Sequence, residues 1–239
     1  VANETLPPFA IFWDKDVRLA KTLEAAGMKL FNSASAIELC DDKSLTHIAL
    51  MNRVPQPKTV LIPLTFPRVG YTDCTFLEKI AAYLGFPFVI KQCFGSFGAG
   101  VYLARNMEEA KAALMKTAGG AAIAQQYIAS SFARDIRAYI VGDKVAAAML
   151  RHNESGDFRA NVAQGGKADA YTLSEAQAAL AVKTAQLLGC TFAGVDLLFG
   201  ENGEMTVCEV NSNAHFAGIS AATGVNIADK IIEAVAQRI

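Results

Sequence analysis

Apolar and polar positions along the chain switch repeatedly between short apolar runs and helical spacing. Phe9–Trp13 is a short apolar run that predicts a buried strand, and Asp16–Ala26 is amphipathic and predicts a helix stopping at Gly27. A longer helical pattern covers about Ser33–Arg53 with a break near Asp41, and Pro55 and Pro57 end it before a strand at Lys58–Ile62. A helix around Thr75–Leu84 stops at Gly85, and Phe86–Lys91 follows as a strand. Gly95-Ser96-Phe97-Gly98-Ala99-Gly100 reads as a flexible loop, with Val101–Ala104 returning as the second arm of a hairpin. Glu108–Thr117 is helical and Ile123–Ile128 extended.

The second half changes character. Asp135–Val141 and Lys144–Arg151 flank Gly142-Asp143, the strongest short-range hairpin signal in the chain. A long helix covers Leu173–Leu188, starting near Ser174. Strands at Ala193–Phe199 and Met205–Val210 are joined by a Gly200-Glu201-Asn202-Gly203 turn, and a helix from about Ile227 to Arg238 closes the chain. A parallel doubly wound sheet would alternate more regularly and would not use tight hairpins in its centre. The pattern predicts a mixed α+β fold: a short α/β stretch, a small α+β unit around the glycine loop, and a larger antiparallel α+β unit.

Composition narrows the function classes. With 239 residues and 52% hydrophobic content the chain can bury a real core, which excludes disorder. A net charge of -1 argues against a nucleic-acid or anionic-membrane surface, and no apolar stretch reaches the roughly 18–20 residues of a membrane span. Cys40, Cys74, Cys93, Cys190 and Cys208 are an odd set without C-x-x-C spacing, so neither a disulfide framework nor a zinc ribbon is expected. Reduced thiols in a cytoplasmic protein fit better. The chain opens on Val1 rather than Met, which predicts either processing or a missing upstream piece.

The acidic end carries the most specific chemistry. Asp196 sits in one apolar strand, and Glu209 and Asn211, two residues apart and so facing the same way, sit in the next. Paired as a hairpin, the strands bring three oxygen-bearing side chains together, a set that favours Mg²⁺ or Mn²⁺. The competing reading is a solvated sheet face with incidental charges. Lys91 ends a buried strand just before the glycine loop, an arrangement suited to clamping phosphate, although a plain flexible turn would look the same. It is no Walker motif, because the lysine precedes the loop. Gln125-Gln126-Tyr127-Ile128 is an extended segment whose backbone could meet an adenine edge, with Asp135 downstream for a ribose. Gly156-Asp157-Phe158-Arg159-Ala160-Asn161, followed by Gly165-Gly166, offers an arginine and a potential anion nest. Arg53, Arg68 and Arg151 could pair with substrate carboxylates. His215 could act as a general base, or be satisfied by loop carbonyls; His47, His152 and Trp13 read as structural.

Taken in order, Lys43, Lys91, the glycine loop, Gln-Gln-Tyr-Ile, Asp-Ile-Arg, Gly-Asp-Phe-Arg-Ala-Asn, Gly-Val-Asp and Glu-Val-Asn resemble the ATP-grasp superfamily. Within it the chain is similar to the RimK branch, whose named member adds glutamate to the C-terminus of a ribosomal protein. The resemblance runs from about Phe9 to the C-terminus and is most specific at Gly156–Asn161, Glu209–Gly218 and Thr223–Ala228.

The resemblance implies two α+β subdomains clamping ATP. A remnant of the N-terminal pre-ATP-grasp domain with its connecting helices would cover 1–63, the small subdomain with the glycine loop 64–128, and the large subdomain with the metal site 129–239. It further implies that Lys43 and Lys91 touch ATP phosphates, with Gly95, Ser96 and Gly98 in the covering loop. Gln126 and Tyr127 would sit at the adenine hinge, Asp135 on the ribose side, and Arg159 and Asn161 at the terminal phosphate and reacting carboxylate. Asp196, Glu209 and Asn211 would hold two ions of Mg²⁺ or Mn²⁺. The implied activity is ATP-dependent joining of an amino acid such as glutamate to a peptide or small-molecule acceptor through an acyl phosphate. A phosphotransferase and a non-catalytic nucleotide-binding module are the alternatives, and the oligomeric state stays open, with a homo-oligomer among the options. Two departures stand out. Gln126 replaces a frequent glutamate, and Ser212-Asn213-Ala214-His215-Phe216 replaces a Pro-Gly-containing turn, which implies a different substrate.

Overall fold

The structure is a computed structural model, described here for residues 6–64, 73–96, 98–117, 119–160 and 166–239. The described residues form three sheets. Near the N-terminus β1 (Phe9–Ile11) and β2 (Lys29–Phe31) pair in parallel around α1 (Val17–Ala25), whose first turn is capped by Asp16 accepting from the Leu19 N–H. Met28 and Leu30 belong to a small core with Phe12, Ala20 and Ile37. The helical stretch that follows breaks into α2 (Ala34–Asp41) and α3 (Lys43–Leu50). Asp42 is the joint: its backbone is extended and its carboxylate accepts from the Ser44 and Leu45 N–H groups.

The second sheet has the order β3-β6-β4-β5, formed by β3 (Thr59–Ile62), β4 (Phe88–Gln92), β5 (Val101–Ala104) and β6 (Ala122–Gln126), all antiparallel. Strand β4 begins two residues later than its apolar run, because Pro87 has no N–H to give to the ladder. Phe88, Ile90, Ala122 and Ala124 turn one face of this sheet onto α4 (Phe76–Leu84) and α5 (Met107–Lys116). Alternation turns Val89, Lys91 and Gln125 to the opposite face.

The third sheet has the order β11-β10-β7-β8-β9, from β7 (Arg134–Val141), β8 (Lys144–His152), β9 (Lys167–Ala170), β10 (Phe192–Phe199) and β11 (Met205–Asn211). Ile136, Ala138, Val195, Leu197 and Val207 face the largest core, against α2, α3 and α6 (Glu175–Leu187), whose Ser174/Gln177 capping box fixes its start. The other face is divided. Tyr139, Val141, Ala147 and Phe192 pack under α7 (Ala217–Thr223) and α8 (Ile227–Ala236), while the residues nearer the second sheet stay uncovered by helices.

Asn32 ties the N-terminal segment to this sheet. Wholly buried, its amide donates to the carbonyls of Phe192 and Ser212 and accepts from the N–H groups of Thr191 and Phe192. Trp13 adds a stacked contact on Phe192 at 5.0 Å, in keeping with a structural role.

Candidate functional site

The uncovered faces of the two larger sheets look at each other across a cavity of about 480 Å³, within the usual range for small-molecule sites. Val89 and Val101 from the second sheet, and Met149 and Leu198 from the third, give it an apolar lining. Lys43, Lys91 and Arg159 give it cations, and Asp196, Glu209 and Asn211 give it oxygens.

The acidic cluster follows from register. Asp196 pairs with Glu209 across the β10–β11 ladder, and Gly194 with Asn211, so the three side chains share one face. A bulge after Asp196 adds Cys208 to β11 without a partner, and as a result both Cys208 and Glu209 reach the cavity. On the other side of β10, Asp196 stands opposite Arg137. Both nitrogens of the Arg137 fork reach the Asp196 carboxylate at 2.7 Å, and Arg151 Nη2 adds a third contact at 2.9 Å. Arg151 also grips Asp135 through two bonds of 2.6 and 2.7 Å. Burial alone would raise the Asp196 carboxyl, yet Arg137 and Arg151 outweigh it and hold the group below the ordinary carboxylate range. At Asp135 burial wins, and the carboxyl is pushed up despite Arg151.

This network was not expected from sequence. Arg151, a candidate for a substrate carboxylate, is instead committed to Asp135 and Asp196. Arg53 is exposed and outside the cavity wall, and Arg68 lies outside the described residues. The missed signal was the Asp135–Arg137 alternation on one strand face, whose meaning depended on β10 lying next to β7.

A divalent cation is compatible with the donors. Among the described residues Lys43 is the one ion-pair partner of Glu209, at 3.6 Å, and the Asn211 amide is not held by a bond from its Nδ2, which leaves it able to turn its Oδ1 to a cation. Asp196 uses three of about four lone-pair positions on the arginines, leaving one. Glu209 and Asn211 are thus the freer of the three candidate donors and Asp196 the constrained one. Among the described residues no group of three His, Cys, Asp or Glu side chains could hold a metal ion, so a set built on Asp196 and Glu209 would need the amide of Asn211 as its third donor.

Lys91 Nζ donates to Gln125 Oε1 at 2.6 Å and approaches Cys208 Sγ at 3.5 Å, which makes it the bridge between the two sheets. The loop before β5 is held by three cations from separate parts of the chain. Lys43 Nζ donates to the Gly95 carbonyl at 3.1 Å, Lys15 Nζ to Ser96 Oγ at 3.1 Å, and Arg159 Nη1 to the Gly98 carbonyl at 2.7 Å. Arg159 is steadied by Asp157, whose carboxyl that bond draws below its ordinary value.

Gln126 and Tyr127 line the apolar end, where Tyr127 meets Phe158 edge-on at 6.2 Å. Gln126 Oε1 accepts from the Lys58 N–H at 3.3 Å, so its side chain is engaged with the chain itself. His215, exposed, also lines the cavity. Gly95 touches Lys43 without contributing to the wall, and Asn161 lies outside the described residues. Polar wall residues to which sequence reasoning gave no role include Lys15, Arg137 and Cys208.

Residues 40–235 match the family model of the RimK-like ATP-grasp domain. The chain is 33% identical over 233 residues to the uncharacterized protein MG012 homolog of Mycoplasma pneumoniae, covering 95% of this chain and 79% of that protein. It is 36% identical over 222 residues to a probable alpha-L-glutamate ligase of Picosynechococcus sp., covering 90% of this chain and 69% of that one. Among solved structures, the D-alanine–D-alanine ligase from Bacillus anthracis complexed with ATP superposes with a TM-score of 0.73 at 19% identity, over 96% of this chain and 79% of that chain.

Proposed function

The chain belongs to the RimK-like ATP-grasp family, and from that premise we propose that it is an ATP-dependent carboxylate–amine ligase acting in the cytoplasm. It adds glutamate or a similar amino acid to a peptide or small-molecule acceptor and releases ADP and phosphate. The fold is the ATP-grasp fold, mixed α+β. One observation carries the reading: two sheet faces enclose a cavity with apolar residues, phosphate-suited cations and a carboxylate–amide cluster all on its wall. The name of the Picosynechococcus relative supports the amino acid.

The adenine lies against Val89, Met149, Leu198 and Tyr127, and Lys43, Lys91 and Arg159 receive the phosphates. Glu209, Asn211 and Asp196 would hold Mg²⁺ or Mn²⁺, which would supply charge neutralisation at the phosphates. An oxygen of the substrate carboxylate attacks the γ-phosphorus, and the bond to the β-phosphate oxygen breaks with ADP as leaving group. The amine nitrogen then attacks the acyl carbon, phosphate departs with the bonding pair, and the amine loses a proton. The Gly95–Gly100 loop keeps water from the acyl phosphate. Asp135 is gripped by Arg151, so its part at the ribose is to orient that network rather than to offer a free carboxylate.

The test is release of ADP and phosphate with Mg²⁺ or Mn²⁺ against a panel of amino acids and short peptides, with mass spectrometry of the products. A condensation mass coupled to ADP formation is the expected result. A mass gain of one phosphate, with no condensation, would overturn the ligase reading.

A further inference from the structure

Lys15 is the only described residue ahead of α2 that reaches the cavity wall. It stands in the turn between β1 and α1, and its ammonium donates to Ser96 Oγ at 3.1 Å while pairing with Asp41 at 3.0 Å. The other two cations on the loop have competing work. Lys43 also faces Glu209, and Arg159 belongs with the phosphate-binding group, so an arriving triphosphate draws both away from the Gly95 and Gly98 carbonyls. Lys15 differs, because its counter-ion Asp41 is outside the cavity wall and fixes the ammonium where it is. The side chain is a quarter exposed, so its single bond to a serine hydroxyl is weak enough to open for substrate entry and to reform afterwards.

We propose that Lys15 is a positioning residue: through Ser96 it fastens the glycine loop to the N-terminal segment while nucleotide is bound, and so keeps water from the activated carboxylate. The consequence for chemistry rests on the ligase reading above; the fastening rests on its nucleotide site alone. When the loop is loose, water replaces the amine at the acyl carbon, releasing free acid and phosphate without product.

Two readouts test it on the full chain. The first is hydrogen exchange of peptides covering Gly95–Gly100 with Mg²⁺ and a non-hydrolysable ATP analogue. The second is phosphate released per condensation product. Lys15→Met and Ser96→Ala should each speed loop exchange and raise the phosphate-to-product ratio several-fold, with no further change when combined. Product formation should fall by up to about a hundredfold, the scale of a misplaced active-site group. Lys15→Arg should restore coupling. Asp41→Asn, which loosens the ammonium but keeps the serine contact, should raise the ratio less than Lys15→Met does. Wild-type exchange and a wild-type ratio in both Lys15→Met and Ser96→Ala would overturn the proposal. A shift caused equally by Asp41→Asn and Lys15→Met, with Ser96→Ala silent, would reduce Lys15 to a structural ion pair and overturn it too. If the wild-type chain makes no condensation product, the ligase reading fails and loop exchange alone decides the fastening.

Discussion

Asp196 and Glu209 stand opposite each other across the β10–β11 ladder, yet one is locked by two arginines and the other is nearly unclaimed. Two carboxylates on adjacent strands therefore have different duties. Asp196 is part of the sheet's internal charge balance, and Glu209 is available to a cation.

That difference predicts different variants. Glu209→Gln should reduce turnover by at least about a hundredfold with little change in stability, since the residue is partly exposed and weakly paired. Asp196→Asn should cost both activity and about 3–5 kcal/mol of stability, because it leaves Arg137 without its carboxylate partner and Arg151 with Asp135 alone. Chemical denaturation of the two proteins side by side is the check; equal stabilities would contradict the division.

The same pairing sets an acid limit. Asp196 has a folded-state carboxyl held below its unfolded value, so the unfolded chain binds the extra proton in that interval. Its contribution to stability is complete above the unfolded carboxylate range and is lost as pH falls through the depressed folded value. Asp135 acts with the opposite sign, its raised carboxyl making ionised burial a cost that is relieved on acidification. In Asp196→Asn the loss of stability below about pH 4 should be shallower than in wild type, measured by denaturation at stepped pH. An unchanged acid slope would sink the assignment.

Lys91→Met should weaken ATP binding roughly 10- to 100-fold, the value of one charge-assisted bond. The methionine keeps the stem that packs between the sheets, so thermal stability should move little. Calorimetric titration with a non-hydrolysable analogue gives the answer, and unchanged affinity would remove Lys91 from the phosphate site.

Gly194→Ala probes the floor of the cavity. An added Cβ would stand 2.6 Å from the Ala214 Cβ and 3.5 Å from the Arg137 Cδ and Nε. The segment after β11, which carries Asn213 and His215, must move to admit it. A loss of about 1–3 kcal/mol is expected from overpacking, with activity lowered through the displaced segment. Wild-type stability and activity would mean that this segment is free to shift.

Much of the fold was legible because the apolar periods are clean. The hairpin at Gly142-Asp143, the break at the Asp41–Asp42 joint and the β10–β11 pairing were all readable, and that last pairing brought Asp196 to Glu209. Elements without a pattern of their own were missed. Strand β2 is three residues long, β9 is polar and at an edge, and α7 is a short run of small residues. Strand β3 was readable as a strand, but not as a member of the sheet built from residues 88–126. Sheet order across long separations was equally hidden. Nothing local places β10 beside β7, so the bond from Arg137 to Asp196 could not be foreseen, nor could that between Lys15 and Ser96, 81 positions apart.

Asn32 gives these boundaries a different meaning. Its single amide satisfies four backbone groups at the start of β10 and in the segment after β11, although it precedes residues 40–235 that match the family model. Trimming the chain to the residues matched by the family model would strip those groups of their partners in the interior of the larger sheet. The bounds of the family model and those of the hydrogen-bonded interior of this sheet are therefore not the same length of chain.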